Sequence, residues 1–196
     1  NPPVTHDLHS LKPLEISVYA RSGLPVPHTV ATNDPAELRD LPGGGSGGWV
    51  VKGMVGGYTH TEIVEAPGSA DAARALLGEG PRMVQGRIEG DNVRAFVLDG
   101  AVVGAAEVVS TEGEEVDSRR GETRIRRIEI PEAAARSAVS VAARWGMPFA
   151  AVDFMRDART GEFQILECNS APFFVVFEGR AGIDLSGKLA DFLLGR

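Results

Sequence analysis

The chain has 196 residues, of which 43% are hydrophobic, and it carries a formal net charge of -7 with a sequence pI near 5.1. This is enough apolar material for one full domain or two small lobes, and the acidic balance argues against broad binding to nucleic acid or anionic membranes. The single cysteine excludes a disulfide framework, and no apolar run reaches the roughly 20 residues that span a bilayer, so we expect a cytoplasmic protein.

The first 82 residues predict a leading helix and then a small, glycine-rich α+β lobe. Pro13 at a first helical position and Gly23 at the end frame a helix over 12–22, and Pro25 and Pro27 then hold the chain extended. Beyond them we expect a strand over 28–31, a helix capped by Asn33 or Asp34 and ending at Leu41, glycine loops over 43–48 and 53–61, a strand over 49–52, an extended segment over 62–65 and a helix over 69–77.

From residue 82 onward the sequence indicates a larger antiparallel sheet that is backed by helices. We expect strands over 83–88, 93–98, 102–109 and 124–130, a hairpin turn at Asp99-Gly100, a polar mobile loop over 112–121, a helix from Pro131 to Gly146 and a closing helix over 183–194. The prediction is therefore an α+β fold in three parts: a leading helix and linker (1–26), a small lobe (27–82) and a large lobe (83–196). A cleft between two such lobes is a natural ligand site.

The segment 146–172 predicts a hairpin of two apolar strands, and these strands carry acid and amide groups where a buried strand should carry none. Glu167 and Asn169 are two positions apart and so project from the same face, and an antiparallel partner could bring Asp153 beside them. Facing carboxylates in an apolar sheet repel each other unless a cation lies between them. Oxygen ligands suit magnesium, so we interpret the hairpin as a metal site; for Asp153 alone, a solvated strand edge is the alternative.

Lysine occurs only at Lys12, Lys52 and Lys188 among 20 basic residues. Where a chain otherwise uses arginine, a retained lysine can be needed as a compact ammonium charge. Lys52 precedes a glycine loop that could fold over a phosphate chain, although the sequence contains no P-loop pattern and the alternative is a flexible turn. The strand 83–85 could offer backbone hydrogen bonds to an adenine edge, or it could simply connect two elements.

Several features follow one another in a characteristic order. They are Lys12 on the first helix, the turn Gly23-Leu24-Pro25-Val26-Pro27, Lys52 before glycines, Val84-Gln85, Arg94 on the next strand, and Asp153 with Glu167 and Asn169 on the last hairpin. This order resembles the ATP-grasp ligases over nearly the whole chain. The opening segment is most similar to the microviridin-type or graspetide maturases, which tie side chains of ribosomal peptides into lactones and lactams, and RimK-like glutamate ligases and amino-acid ligases are close alternatives.

The resemblance implies an ATP-grasp fold and an ATP-dependent ligase that phosphorylates a peptide or amino-acid carboxylate and joins it to an amine or hydroxyl, releasing ADP and phosphate. It implies magnesium, with two ions expected and Mn²⁺ able to replace them, and it is compatible with a homo-oligomer. Carried over residue by residue, it places Lys12 and Lys52 on ATP phosphates, with Lys52 also near the adenine, and the segment 84–87 with Gln85, Gly86 and Arg87 on the base. It places Arg94 on the transferred phosphoryl group, and Asp153, Glu167 and Asn169 on the metal.

The sequence departs from the family pattern at two points. The family has an acidic residue two positions before the strand arginine, where this chain has Asn92, with Asp91 one position earlier, so both are candidates for holding the ribose. The family also carries an amino-terminal domain ahead of Asn1, which this sequence does not include. In the loop 112–127, Arg119 resembles a family position near the phosphates or the acceptor carboxylate, and a solvated loop is the alternative.

Two further hypotheses compete with the ligase. The first is a nucleotide-binding regulatory or partner-binding module without ligase activity, motivated by the shifted acid. The second is a metal-dependent hydrolase without a nucleotide, but His6, His9, His28 and His60 form no HExxH or comparable pair.

Overall fold

The computed structural model describes residues 1–8, 11–39, 41, 48–55, 61–64, 69–78, 80–110 and 123–196. The helices in these parts are α1 Val4–Leu8, α2 Lys12–Arg21, α3 Pro35–Arg39, α4 Ala70–Leu77, α5 Glu132–Arg144, α6 Val175–Ala181 and α7 Leu185–Leu194. The strands are β1 Thr29–Thr32, β2 Trp49–Gly53, β3 Glu62–Val64, β4 Arg82–Gly86, β5 Gly90–Leu98, β6 Ala101–Ser110, β7 Thr123–Ile128, β8 Phe149–Asp157 and β9 Phe163–Asn169. The predicted α+β class is confirmed.

A small four-stranded antiparallel sheet has the order β1-β4-β2-β3. Residues alternate along β2, so Trp49 and Val51 enter one apolar core while Lys52 projects from the other face. Helices α3 and α4 cover that core with Leu38, Ala73 and Leu77. The sheet therefore has one face closed by helices, and Lys52 lies on the other.

A larger five-stranded antiparallel sheet has the order β7-β6-β5-β8-β9. Along β5, Val93 and Ala95 pack with α2 and α5 in one core, while Phe96 packs with α6 and the start of α7 in another. Because side chains alternate, Arg94 lies on the same face as Phe96. Strand β9 lies at one edge of the sheet, so a group on α2 can reach around that edge to the second face.

The structure confirms most predicted elements and differs at the ends of the chain. Helices α1 and α6 are not among the predicted elements, since both are short. The closing helix α7 begins at Leu185 and not at residue 183, because the Asp184 side chain caps it by accepting from Gly187 N at 2.8 Å. Strand β4 pairs with β1 and β2 in the small sheet. Most residues of the predicted loops over 43–48, 53–61 and 112–121 lie outside the described residues. No helix in the described parts of the chain combines the length and apolarity needed to cross a membrane.

Candidate functional site

A row of charged side chains crosses three neighbouring strands of the large sheet. Asp153 on β8 lies directly opposite Arg94 on β5 and directly opposite Glu167 on β9. The next pair along β8 and β9 joins Phe154 to Ile165, so Leu166 is an extra residue that forms a β-bulge. Register and bulge together bring the predicted Arg94, Asp153 and Glu167 side by side on one face.

Arg94 and Asp153 form a bidentate ion pair. The Arg94 Nε and Nη2 atoms donate to the two Asp153 carboxylate oxygens at 2.6 and 2.7 Å, and the guanidinium lies 5.2 Å from the centre of the Phe177 ring. Burial by itself would lower the pKa of Arg94, but the Asp153 charge raises it above its ordinary value. Burial raises the pKa of Asp153, and the Arg94 charge opposes that shift. The guanidinium is thus fixed in orientation, with one face on an aromatic ring.

Glu167 pairs with Lys12, whose Nζ lies 2.6 Å from Glu167 Oε2. Burial alone would raise the pKa of Glu167, but the ammonium charges of Lys12 and Lys52 lower it below its ordinary value. Lys12 is the first residue of α2, and its ammonium occupies a cation position beside an ionised carboxylate. The structure therefore joins the predicted phosphate-binding Lys12 to the predicted metal ligand Glu167.

Lys52 projects from the small sheet toward the same charges. Its Nζ donates to Gln85 Oε1 at 3.0 Å, and Gln85 Nε2 in turn donates to Thr29 Oγ1 at 3.0 Å. Burial, and then repulsion by the Lys12 ammonium, lowers the pKa of Lys52 to about 8. An anion bound here would remove part of the cost of burying two ammonium groups together.

The predicted base-binding segment runs along the end of β4. Gly86 N donates to His28 O at 2.8 Å, and Arg87 N donates to Gly48 O at 3.0 Å. These two donors are already used within the chain. A purine at this edge would therefore approach on the carbonyl side or displace one of these bonds.

The two candidates for the ribose lie on opposite faces of β5. Asn92 shares the face of Arg94, whereas Asp91 lies on the other face and pairs with Arg156, whose Nε donates at 3.1 Å. The structure therefore brings Asn92, and not Asp91, to the side of the charged row. Arg119 lies outside the described residues.

The donor set on the hairpin fits a hard cation. Asn169 follows Glu167 on the same face of β9, and its Oδ1 accepts from Ala171 N at 2.9 Å. In the parts of the chain that the structure describes, no three His, Cys, Asp or Glu side chains cluster as a metal site. Two carboxylates and one amide are nevertheless suitable for magnesium when substrate phosphates and water supply the other ligands.

The structure also shows site neighbours that the sequence interpretation did not include. Phe177 supports Arg94 from α6, a helix that was not predicted, so no sequence signal pointed to it. Arg127 is exposed and continues the row, because Arg94 lies opposite Ala106 and Ala106 lies opposite Arg127. Glu15 is a buried acid on α2, and an acid on the apolar face of a helix was a signal available in the sequence.

A family model described as the RimK-like ATP-grasp domain matches residues 12–193. The chain belongs to this family. A probable alpha-L-glutamate ligase of Aliivibrio salmonicida is 26% identical over 197 residues, which cover 97% of this chain and 64% of the relative. The solved ATP-grasp ligase PsnB, complexed with a phosphomimetic variant of its minimal precursor, Mg and ADP, is 32% identical with a TM-score of 0.80, over 97% of this chain and 60% of its own.

The macrocyclase MdnC of Microcystis aeruginosa, bound with the precursor peptide MdnA, has a TM-score of 0.72 at 17% identity, covering 100% of this chain and 63% of its own, and so supports the fold alone. The predicted ATP-grasp fold and the predicted family are confirmed. ATP is the nucleotide that this family uses. The chain spans about three fifths of the length of the relatives given above.

Proposed function

We propose that this ATP-grasp domain binds ATP and catalyses phosphoryl transfer in a carboxylate-amine or carboxylate-hydroxyl ligase. One observation carries the proposal. Two carboxylates, two ammonium groups and one bidentate guanidinium from five separate elements converge on one face of the large sheet. Such an array suits a polyphosphate with divalent cations, because it supplies both phosphate-binding and cation-binding charges.

The residues take the following roles in this proposal. Lys12 and Lys52 hold the phosphates, the segment 84–87 with Gln85, Gly86 and Arg87 holds the base, and Asn92 replaces the family acid at the ribose. Arg94 stabilises the charge that develops on the transferred phosphoryl group, since its fork is already oriented by Asp153. Arg119 is proposed to contact the carboxylate of the acyl substrate.

The chemistry has two steps. An oxygen of the substrate carboxylate attacks the γ-phosphorus of ATP, the bond to the β-phosphate oxygen breaks, and ADP leaves. An amine or hydroxyl then attacks the acyl-phosphate carbon, inorganic phosphate leaves, and the proton of the nucleophile passes to solvent or phosphate. Neither step requires a nucleophilic side chain, so buried Cys168 is a core residue.

Asp153, Glu167 and Asn169 would hold magnesium, with two ions proposed and manganese able to replace them. When bound, these ions would neutralise phosphate charge during transfer. Lys12 would then be released from part of its pairing with Glu167 and could face the phosphates. The site is thus interpreted as one in which internal ion pairs exchange for substrate contacts.

We propose that the carboxylate substrate is a peptide. We also propose that the enzyme is cytoplasmic and modifies ribosomal peptides. PsnB was solved with its precursor peptide PsnA2, which supports this choice, and the glutamate ligases keep addition of a free amino acid as an alternative. The exposed Arg127 would extend a cationic path for an acidic peptide. Homo-oligomerisation is compatible with the proposal.

The direct test is product analysis with the purified protein, ATP, Mg²⁺ and acidic peptides or amino acids. We expect ADP and phosphate in amounts that depend on the acceptor, and mass spectrometry should distinguish loss of water by crosslinking from addition of an amino acid. Formation of AMP and pyrophosphate would reject the mechanism. Nucleotide binding without turnover for any acceptor would instead favour a binding module, for which the position of Asp91 on the opposite face is the supporting observation.

Nucleotide binding should take up protons through Lys52. Because the pKa of this ammonium is lowered to about 8, the group is only about half charged at pH 8, and a bound triphosphate raises its pKa again. Calorimetry in buffers of different ionisation enthalpy should therefore record uptake of about half a proton at pH 8. Lys52→Gln should abolish the uptake, exposed Lys188→Gln should preserve it, and persistent uptake in Lys52→Gln would contradict the assignment.

A further inference from the structure

A carboxylic acid lies buried directly beneath the charged row. Glu15 on α2 is 1% exposed and adjoins the apolar core of the large sheet. Its Oε1 accepts from the Tyr19 hydroxyl at 3.0 Å, and its Oε2 is buried without a hydrogen-bond partner among the described residues. Burial raises the pKa of Glu15 to about 8. Burying this carboxylic acid lowers the stability of the fold relative to an apolar residue at the same position, which indicates a specific role for the acid.

The acid belongs to a chain of contacts that joins three elements. Trp145 Nε1, just after α5, donates to the Tyr19 hydroxyl at 2.6 Å, and the two rings meet edge to face with centroids 6.2 Å apart. Tyr19 then donates to Glu15, and the Cys168 backbone amide lies close enough to lower the pKa of Glu15. Cys168 separates Glu167 from Asn169 on β9. The chain of contacts therefore runs from α5 through α2 to the backbone of the hairpin.

In the described parts of the chain, the amino terminus of α2 is held by backbone contacts and not by a side-chain cap. Leu11 at its cap position forms no side-chain capping bond, and its backbone pairs with Val55 at the edge of the glycine loop. Lys12 must reach around the edge strand β9 to meet Glu167 on the far face. Lysine has a long, flexible side chain, so the position of its ammonium depends on where the helix is held.

We propose that Glu15 is a positioning residue, which with Tyr19 and Trp145 fixes α2 against β9 and so sets Lys12 at the phosphate site. This inference rests on the proposed function of the same site. Glu15 itself touches no substrate. It acts through the helix, one turn from Lys12, and its loss lets the ammonium move relative to Glu167.

Glu15→Leu tests the inference, because it fills a similar volume and removes only the polar contacts. We expect KM for ATP to rise about tenfold with kcat changed less than about twofold, while thermal stability stays level or rises. Glu15→Gln keeps an acceptor for the Tyr19 hydroxyl and should restore KM to within about twofold of wild type. If Glu15→Leu fails to fold, Tyr19→Phe carries the same test by removing only the hydroxyl.

A double-mutant cycle separates positioning from general packing. In a Lys12→Ala background, Glu15→Leu should have no further effect on KM for ATP, because the group it positions is already gone. An unchanged KM in Glu15→Leu, or an equal effect with and without Lys12, would overturn the inference. Direct titration of the wild type with a nonhydrolysable ATP analogue distinguishes failure of this inference from failure of the proposed function. If the proposed function is wrong, neither the wild type nor any variant should bind the analogue.

Discussion

Arg94→Gln is expected to lower the free energy of unfolding by about 3 kcal/mol and to reduce phosphoryl transfer by on the order of 10³-fold. The stability loss follows because Asp153, only 18% exposed in its side chain, would remain buried without the bidentate partner that offsets its desolvation. The activity loss follows because Arg94 is the cation of the row whose two donor nitrogens are held in a fixed orientation by a carboxylate. Chemical denaturation and ADP release measure the two effects separately.

A second substitution separates these two losses. Arg94→Gln combined with Asp153→Asn removes both charges, so most of the stability should return. Turnover should remain low, because this double variant lacks both the Arg94 guanidinium and a proposed metal ligand. Exposed Arg136 provides the matched control, since it pairs with Glu132 on a helix surface, and Arg136→Gln should cost less than about 1 kcal/mol. Recovery of activity in the double variant would contradict the catalytic role of Arg94.

Glu167→Gln should produce the opposite combination, with stability nearly unchanged and turnover reduced by on the order of 10³-fold. The Lys12–Glu167 pair is partly exposed, at 22% and 31% for the two side chains, so its loss should cost about 1 kcal/mol or less. Glutamine keeps the shape but removes the charge that would hold magnesium between two ammonium groups. ADP release measured over a magnesium titration should reveal the loss.

Glu162 offers the control for this substitution, because it lies exposed in the turn of the same hairpin. Glu162→Gln makes the same change of charge away from the row, and it should leave turnover and magnesium dependence intact. Near-normal activity of Glu167→Gln at ordinary magnesium concentrations would reject the metal assignment on this hairpin.

A site residue was predictable from the sequence where its position depends on the geometry of its own strand or on the order of the motifs. Glu167 and Asn169 share a face because strand side chains alternate, and Asp153 follows if the hairpin closes. The ribose position was less accessible, since the predicted strand began at residue 93 and only the structure extends β5 back to Gly90, which puts Asp91 and Asn92 on opposite faces of a strand. Phe177 could not be found, because its helix α6 is short and its contact with Arg94 depends on how that helix packs.

The local structure and the supply of chemical groups follow from the amino-acid sequence alone. The structure reproduces the boundaries that are set by Pro13, Gly23 and the Asp99-Gly100 turn, because such backbone preferences involve only neighbouring residues. The turn has φ of 47° at Asp99 and 75° at Gly100. Tertiary structure alone decided which groups meet. Arg94 and Asp153 are 59 positions apart and are joined by strand register, and Lys12 reaches Glu167 only because α2 packs beside an edge strand. Burial among these partners then sets the charges, since the pKa of Lys52 depends on neighbours that no local pattern specifies.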